Sequence, residues 1–185
     1  MSEITAAKPA VGGGIWTAPA GSTLPTNAST ALDAAFKSLG AVSDAGVTRS
    51  MSKESTVVNA WGGQVVAVLN AKKTETFKFK LLEADNIDAL GLAYGEASGT
   101  LATGITVKST GAQPDPQAYV IETILANDVH QRVVIPAGIV TAVGDVVYVD
   151  NDVIGFDLTI TAIADDDNVT AYEYMQATGV TGTTE

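Results

Sequence analysis

The sequence lacks cysteine altogether and contains a single histidine, His130. Without cysteine, a disulfide framework, thiol catalysis and a Cys-based zinc site are all excluded. One histidine also excludes metal sites that need two imidazole ligands. No apolar run approaches the roughly 18–20 residues that span a bilayer. The first residues show no basic segment followed by an apolar one, so we expect no signal peptide and no membrane binding.

Basic residues are also scarce, because 10 Lys and Arg stand against 21 Asp and Glu, which gives a net charge of −11. The whole imbalance lies in residues 109–185, where Arg132 is the only cation among twelve acidic residues. Such acidity argues against sequence-specific nucleic-acid binding, which needs a basic face. Two interpretations stay open: an acidic surface that gives solubility, or a surface of one sign that repels polyanions.

Residues that favour strands are abundant, since Val, Ile and Thr make up 54 of the 185 residues. The length fits one domain, and 46% hydrophobic residues are enough to form a core. The clearest alternation covers 74–83, where Phe77, Phe79 and Leu81 share one face. The pattern therefore predicts a mainly β protein, a β-sandwich or partial barrel with one flanking α-helix.

The chain divides into three segments by composition. Residues 1–28 are rich in Gly, Ala and Pro and predict an extended N-terminal arm, in which Trp16 needs a surface to dock on. Residues 29–176 form the β-sandwich domain, and the Gly- and Thr-rich residues 177–185 predict a flexible tail.

Within the domain, helix signals occur at two places. Ser29 or Thr30 is suited to cap a short helix that ends at Leu39, and Asp85 or Asn86 is suited to cap the flanking helix near 86–94. The rest predicts strands separated by turns, with 145–149 among the strands.

Catalytic and ligand-binding motifs are weak or missing. His130 has no nucleophile elbow to serve, and Gly12-Gly13-Gly14 lacks the Lys-Ser or Lys-Thr pair of a phosphate loop. Asp150-Asn151-Asp152 begins like a calcium loop, but Thr161 stands at the twelfth position, where a bidentate Glu is required. We therefore expect no enzyme, no metal and no cofactor.

Residues 39–95 carry a resemblance to a known family. The features that carry it are the run Leu39-Gly40-Ala41-Val42-Ser43-Asp44-Ala45-Gly46-Val47-Thr48, the segment 58–66, the strand 74–83 and the helix that ends in Leu92-Ala93-Tyr94-Gly95. In this order they resemble the major tail tube protein of long, non-contractile-tailed bacteriophages, particularly those of actinobacterial hosts. The resemblance extends over most of residues 25–176. Some relatives carry an additional immunoglobulin-like domain, which we do not expect in this sequence.

The resemblance implies a structural function. Such proteins form hexameric rings that stack into a tube, assembled in the cytoplasm of the host bacterium and found in the virion tail. The tube encloses the tape measure protein, joins tail terminator and distal tail proteins, and later passes the phage DNA. The resemblance also implies a hairpin around 50–73 that contacts the adjacent ring, and a second contact with the adjacent ring at the N-terminal arm. The expected inter-subunit residues are Trp16, Ser52, Lys53, Trp61, Gly62 and Gly63.

On this interpretation, the acidity of residues 109–185 has a function in the lumen of the tube. Acidic side chains that face the lumen would let DNA slide, because repulsion replaces the affinity that basic channels gain from counterion release. We expect several of eight acids to face the bore: Asp145, Asp150, Asp152, Asp157, Asp165, Asp166, Asp167 and Glu173.

Two other functions stay open at this point. The first is a monomeric β-sandwich binding or decoration module for carbohydrate or cell surfaces, although the few Trp and Tyr do not obviously form a planar row. The second is the tube of a contractile tail or a related injection device. Catalysis that depends on His130 ranks behind both.

Overall fold

A nine-stranded antiparallel sheet forms most of the computed structural model, which describes residues 6–9, 14–112, 114–151 and 153–177. For residues 70 and 71 the structure describes the backbone but not the side chains. The elements in chain order are β1 (Lys8–Pro9), β2 (Ile15–Pro19), β3 (Lys37–Ser38), β4 (Val42–Asn59), β5 (Val65–Leu81), α1 (Ile87–Tyr94), β6 (Gly95–Thr100), β7 (Gly104–Ser109), β8 (Gln117–Ile124), a 3₁₀ turn (Ala126–Asp128), β9 (Val129–Val143), β10 (Phe156–Ile163) and β11 (Tyr172–Ala177).

The strands of the sheet follow the order β3-β2-β8-β9-β10-β5-β4. Two further strands join this path, because β1 pairs with β8 and β11 pairs with β9. Strands β6 and β7 form a separate two-stranded hairpin directly after α1. The mainly β fold with one flanking α-helix that the composition predicts is confirmed.

The main core lies between one face of the sheet and α1. Strand β5 contributes Phe77, Phe79 and Leu81, as the alternation predicts, and β10 contributes the facing row Phe156, Leu158, Ile160 and Ala162. Phe156, Leu158 and Ile160 lie opposite Leu81, Phe79 and Phe77, so the two rows pack as cross-strand neighbours.

A second cluster covers the other face of β2, β8 and β9. It contains Ala18, Phe36, Ala118, Val120 and Val134, with Trp16 and residues of the segment 20–36 packed against it. Strand β8 is therefore buried on both faces, which explains its nearly continuous apolar sequence. In the described part of the chain, this cluster includes no residue of β5 or β10.

Helix α1 is fixed at both ends by local hydrogen bonds. The Asn86 side chain accepts hydrogen bonds from the backbone N–H groups of Asp88 and Ala89, which is ordinary N-capping. Gly95 follows the last turn with φ 105°, and its N–H donates to the Gly91 carbonyl. The buried residues Ala89 and Leu90 face the core.

Three segments differ from the sequence expectations. Part of the expected arm is a sheet strand, because Ile15–Pro19 pairs with β8 and Ile15 belongs to the core. The short helix over 29–39 does not form. There the Asn27 and Asp33 side chains accept hydrogen bonds from nearby backbone N–H groups, and such bonds compete with helix formation.

Residues 145–149, expected as a strand, have no strand partner within the described part of the chain. Instead, 95–100 forms β6 and pairs with β7. A run of Gly, Ser and Thr gives little strand signal, which is why this hairpin is missing from the sequence expectations.

We expect Leu158→Ala to lower the free energy of unfolding by about 2–5 kcal/mol, because the buried side chain leaves a cavity between β5 and β9. Urea unfolding followed by circular dichroism measures this loss. Thr159→Ala, on the other face of the same strand, is the matched control and should change the value by less than about 1 kcal/mol. Equal losses would contradict the assignment of the two faces.

Candidate assembly surface

The hairpin of β4 and β5 extends far beyond the sheet. Strand β10 pairs with β5 only from Thr76 to Leu81, so closer to the turn β5 has β4 as its sole partner among the described strands. Every described side chain from 50 to 73 is exposed. We call residues 50–73 the ribbon. From Met51 to Ala60 it measures about 30 Å at roughly 3.3 Å per residue.

The outer part of the ribbon is apolar on both faces. Directly paired residues share a face and successive pairs alternate, so Val57 and Val68 lie on one face, while Val58 and Ala67 lie on the other with Leu69. A bulge at Glu54/Ser55 separates this part from a polar inner part. The exposed large hydrophobic residues of the ribbon are Met51, Val57, Val58, Trp61, Val65, Val66, Val68 and Leu69.

Two physical arguments favour this surface as an interface. An isolated two-stranded ribbon is only marginally stable in water. A contiguous exposed apolar surface also marks an interaction site in a soluble protein. Both arguments apply to the ribbon. Because its apolar side chains lie on two faces, a partner that covers one face would leave the other face in water.

Trp61, Gly62 and Gly63 form the turn at the tip of the ribbon. The N–H of Gly63 donates to the Ala60 carbonyl, and φ is 110° at Gly62 and 88° at Gly63, a region that favours glycine. The Trp61 side chain is 107% exposed, more than any other large hydrophobic residue in the described part of the chain. The turn thus holds the indole away from its own domain.

An ion-pair cluster around one buried carboxylate, Glu75, lies at the base of the ribbon. The Glu75 side chain is 0% exposed and accepts hydrogen bonds from Arg49 Nε and from the Thr170 hydroxyl. Lys73 Nζ lies 3.3 Å from Glu75 Oε2 and donates to Thr170 Oγ1 at 2.8 Å. Arg49 also pairs with Glu173 at 3.0 Å, so both strands of the hairpin are tied to the β10–β11 side of the domain.

The electrostatics of this cluster favour a charged Glu75. Burial by itself would raise the pKa of the Glu75 carboxyl. Hydrogen bonds from Thr170 and Arg49, the charge of Arg49 and the hydrogen bond from Lys73 outweigh burial and hold that pKa below its usual value of 4.5. A charged, fully partnered carboxylate therefore fixes the point where the ribbon leaves the sheet.

The other residues expected at subunit contacts lie in different places. Ser52 and Lys53 are exposed on the polar inner part of the ribbon, opposite Thr74 and Lys73. Trp16 lies in β2, where it packs against the second cluster, and its Nε1 is buried without a hydrogen-bond partner. The structure thus places Ser52 and Lys53 near the base of the ribbon, Trp61, Gly62 and Gly63 at its far end, and Trp16 in a different part of the sheet.

Seven of the eight expected lumen acids lie within the described residues, on β10, on β11 and on the two segments that flank β10. Asp145 and Asp150 are exposed on the segment between β9 and β10, and Asp152 lies outside the described residues. Asp157 is the second residue of β10 and pairs with Lys78 at 3.5 Å. Glu173 on β11 pairs with Arg49. Three others form the β10–β11 turn: Asp165, Asp166 and Asp167.

Asp165 stabilises that turn through hydrogen bonds. It accepts hydrogen bonds from the Tyr172 hydroxyl at 2.6 Å and from the N–H groups of Asp167 and Val169. The hydrogen bond from Tyr172 and those from the backbone lower the pKa of Asp165. The same bond raises the pKa of Tyr172 to about 12. Asp166 and Asp167 are exposed beside it.

A second apolar feature lies between α1, β7 and the segment 144–155. It is a cavity of about 470 Å³, which we call the aromatic pocket, and it is lined by Ala84, Leu90, Tyr94, Val107, Ser109, Tyr148, Ile154 and Phe156. Tyr94 meets Phe156 edge to face, with ring centroids 5.9 Å apart. A hydrogen bond with the Tyr148 hydroxyl, together with burial, raises the pKa of Tyr94.

Sites for other chemistry are missing from the described residues. No group of three His, Asp or Glu side chains within them is arranged to hold a metal ion. His130 is half-buried at the start of β9, between Ile124 on β8 and Gln176 on β11. No helix in the same part of the chain is long and apolar enough to cross a membrane.

The structure is thus a mainly β domain from which an exposed apolar ribbon projects. Comparison with family models gives a match over residues 4–183 to the family described as phage tail tube protein. No curated protein matches the chain significantly. The chain belongs to the phage tail tube protein family.

Membership in this family confirms several expectations at once. The chain is a structural protein of the bacteriophage virion tail, it assembles with other tail components into a tube, and it is not an enzyme. The family match supports a tube protein and not the alternative of a monomeric binding module.

We expect Glu75→Gln to lower the free energy of unfolding at pH 7 by about 1–3 kcal/mol, because Arg49 and Lys73 lose the buried negative charge that they share. The folded-state pKa of Glu75 is lowered, so its contribution is complete above pH 4.5 and is lost as the pH falls through that lower value. Urea unfolding of both proteins between pH 7 and pH 3 measures the difference.

The matched control is Glu96→Gln, which removes a carboxylate from an exposed pair with Lys108. Its effect should stay below about 1 kcal/mol at every pH. A constant difference between wild type and Glu75→Gln down to pH 3 would contradict the role of the Glu75 charge.

Proposed function

We propose that this chain forms hexameric rings, that the rings stack into the tail tube, and that the tube conducts the genome into the host cell. The observation that carries the proposal is the ribbon with apolar side chains on both faces. Such a ribbon gains its stability only when other subunits cover it. The ribbon thus serves as the contact between subunits of adjacent rings.

The asymmetry of the contact supports a filament. A projecting ribbon fits a surface of a different shape, so the part of the next copy that receives it differs from the ribbon itself. Contacts of this heterologous kind close into rings or continue as open filaments. A tube of stacked rings uses both arrangements. Strand edges at β4 are then covered by neighbours, which removes the aggregation risk of a long exposed edge.

The acidic residues support a conduit. Several of the eight acids face the bore in our proposal, and their charge keeps DNA from binding while it passes. Asp166 and Asp167 are the best placed for this, since both are exposed and Asp165 holds the turn that carries them. The tape measure protein fills the same bore before DNA, and terminator and distal tail proteins close the two ends of the tube.

Within the family we propose the long, non-contractile type of phages that infect actinobacteria. The resemblance of residues 39–95 supports this choice. The domain limits are also part of the proposal: 29–176 as the tube domain, 1–28 as an arm whose strand β2 pairs with β8 of that domain, and 177–185 as a tail, of which 178–185 lie outside the described residues.

We expect a chain without the outer ribbon to fold and to stay unassembled. In this variant Asn-Gly replaces residues 57–68 and joins Thr56 to its partner Leu69 by a two-residue turn. Purified wild type at high concentration should form tubes in negative-stain electron microscopy, whereas the variant should sediment as a small species. Its circular dichroism spectrum and unfolding transition should match those of wild type.

A matched control keeps the ribbon and changes another projecting hairpin. Leu101→Ser removes the exposed apolar residue at the tip of β6–β7. This control should assemble like wild type. Tubes formed by the shortened chain, or wild type that stays monomeric at every concentration and ionic strength, would contradict the proposal.

We expect the double variant Asp166→Lys/Asp167→Lys to assemble and to deliver DNA more slowly, because cations in the bore attract phosphates. The measurement is the rate of DNA release from purified virions as a function of salt, and the delay should shrink as salt rises. Asp44→Lys, an exposed acid outside the eight, is the control. If all eight acids prove to lie on the outer surface of the tube, only their contribution to solubility remains.

A further inference from the structure

Two apolar features of the described domain have no partner within it: the indole of Trp61 at the tip of the ribbon and the aromatic pocket. We propose that Trp61 of one copy occupies the aromatic pocket of a copy in the adjacent ring. This inference rests on the proposed function, and it names the seat of the ribbon tip. The occupant is thus a second copy of this chain.

The lining of the pocket suits an indole. Leu90, Ile154 and Val107 supply aliphatic contacts, and Tyr94 and Phe156 already pack edge to face, an arrangement that a third ring can extend. A buried Trp also needs an acceptor for its N–H group. Tyr94 and Tyr148 both line the pocket, and their phenolic oxygens can accept this hydrogen bond.

Neither tryptophan of the same chain is placed to enter the pocket. The ribbon is an extended two-stranded structure about 30 Å long, and Trp61 is fully exposed at its end. The second tryptophan, Trp16, is held in β2 on the other side of the sheet. An indole that occupies the pocket therefore comes from another copy, and the ribbon is a projecting apolar element that the described chain offers to a neighbour.

Charge complementarity favours a copy of this chain over another partner. The ribbon carries three lysines and one glutamate: Lys53, Lys72, Lys73 and Glu54. Lys73 is engaged with Glu75 at 3.3 Å, so Lys53 and Lys72 are the cations that the ribbon presents to a partner. Acids flank the pocket, since Asp85 follows Ala84, and Asp145 and Asp150 lie on either side of Tyr148. Two cations lie next to the lining residues: Lys108 is paired with Glu96 at 3.0 Å, and Lys80 lies against Gly155, between Ile154 and Phe156. The lysines of the ribbon thus approach a rim that has more acids than unpaired bases.

Thiol cross-linking in assembled tubes tests the seat directly, because the chain has no native cysteine. Gln64→Cys places a thiol beside the tip, and Ser109→Cys places one at the lining of the pocket. The control pair is Gln64→Cys with Met175→Cys, an exposed position on β11. Both double variants are assembled, treated with a short bis-maleimide and separated by denaturing electrophoresis.

A ladder of covalent oligomers in the Gln64/Ser109 variant, without a ladder in the control, is the expected result. Tubes that form normally but cross-link only in the control pair, equally in both, or in neither would overturn the inference and leave the proposed function intact. Wild type that forms no tubes would overturn the proposed function itself, and this is seen before any cross-linking.

Substitution at the tip gives a second, independent measurement. Trp61→Ala should raise the protein concentration needed for assembly about 30-fold or more, the loss typical of a tryptophan at the centre of an interface. Trp61→Phe should recover part of this loss because a ring still enters the pocket. Unfolding of the unassembled subunit should stay unchanged, since the Trp61 side chain is fully exposed there. An unchanged assembly concentration for Trp61→Ala would overturn the inference.

Discussion

The antiparallel pairing of β4 with β5 is the interaction on which the projecting ribbon depends. One end of β5 supplies Phe77, Phe79 and Leu81 to the core, and the other end forms the ribbon. The ribbon therefore inherits its direction from the core through a continuous backbone. Glu75 lies at the transition and holds Arg49 from β4 and Lys73 from β5 in one buried cluster. Folding of the domain thus positions the assembly surface in advance, which reduces the entropy that subunits lose when they associate.

Sequence reasoning succeeds where a local pattern has one interpretation. The alternation of Phe77, Phe79 and Leu81 predicts a half-buried strand, and Asn86 with Gly95 marks the ends of α1. It fails at β2, because pairing of Ile15–Pro19 with residues about a hundred positions away leaves no local signal. Gly62-Gly63 predicts the turn at the tip. The exposure of 65–69 is not predictable, because an apolar run of this length is equally typical of a buried strand.

The buried cluster shows a different limit of the sequence. Glu75 falls on the core face of an alternating strand, and only the distant residues Arg49, Thr170 and Glu173 make that position favourable for a carboxylate. The acidic residues show the same dependence on context. Asp165 and Glu173 hold a turn and an ion pair, whereas Asp166 and Asp167 stay exposed, although composition treats all four alike. Net charge therefore describes the surface only when carboxylates that hold the fold, such as Asp165 and Glu173, are left out of the count.

The orientation of the hydrogen bonds in the ribbon has a mechanical consequence. The bonds between β4 and β5 run perpendicular to the strands. Opposite forces along β4 and β5 load all of these bonds in shear at the same time, whereas a force that separates the two strands at one end opens them one after another. A load along the ribbon is therefore resisted by many bonds together, and a load across it by one pair at a time.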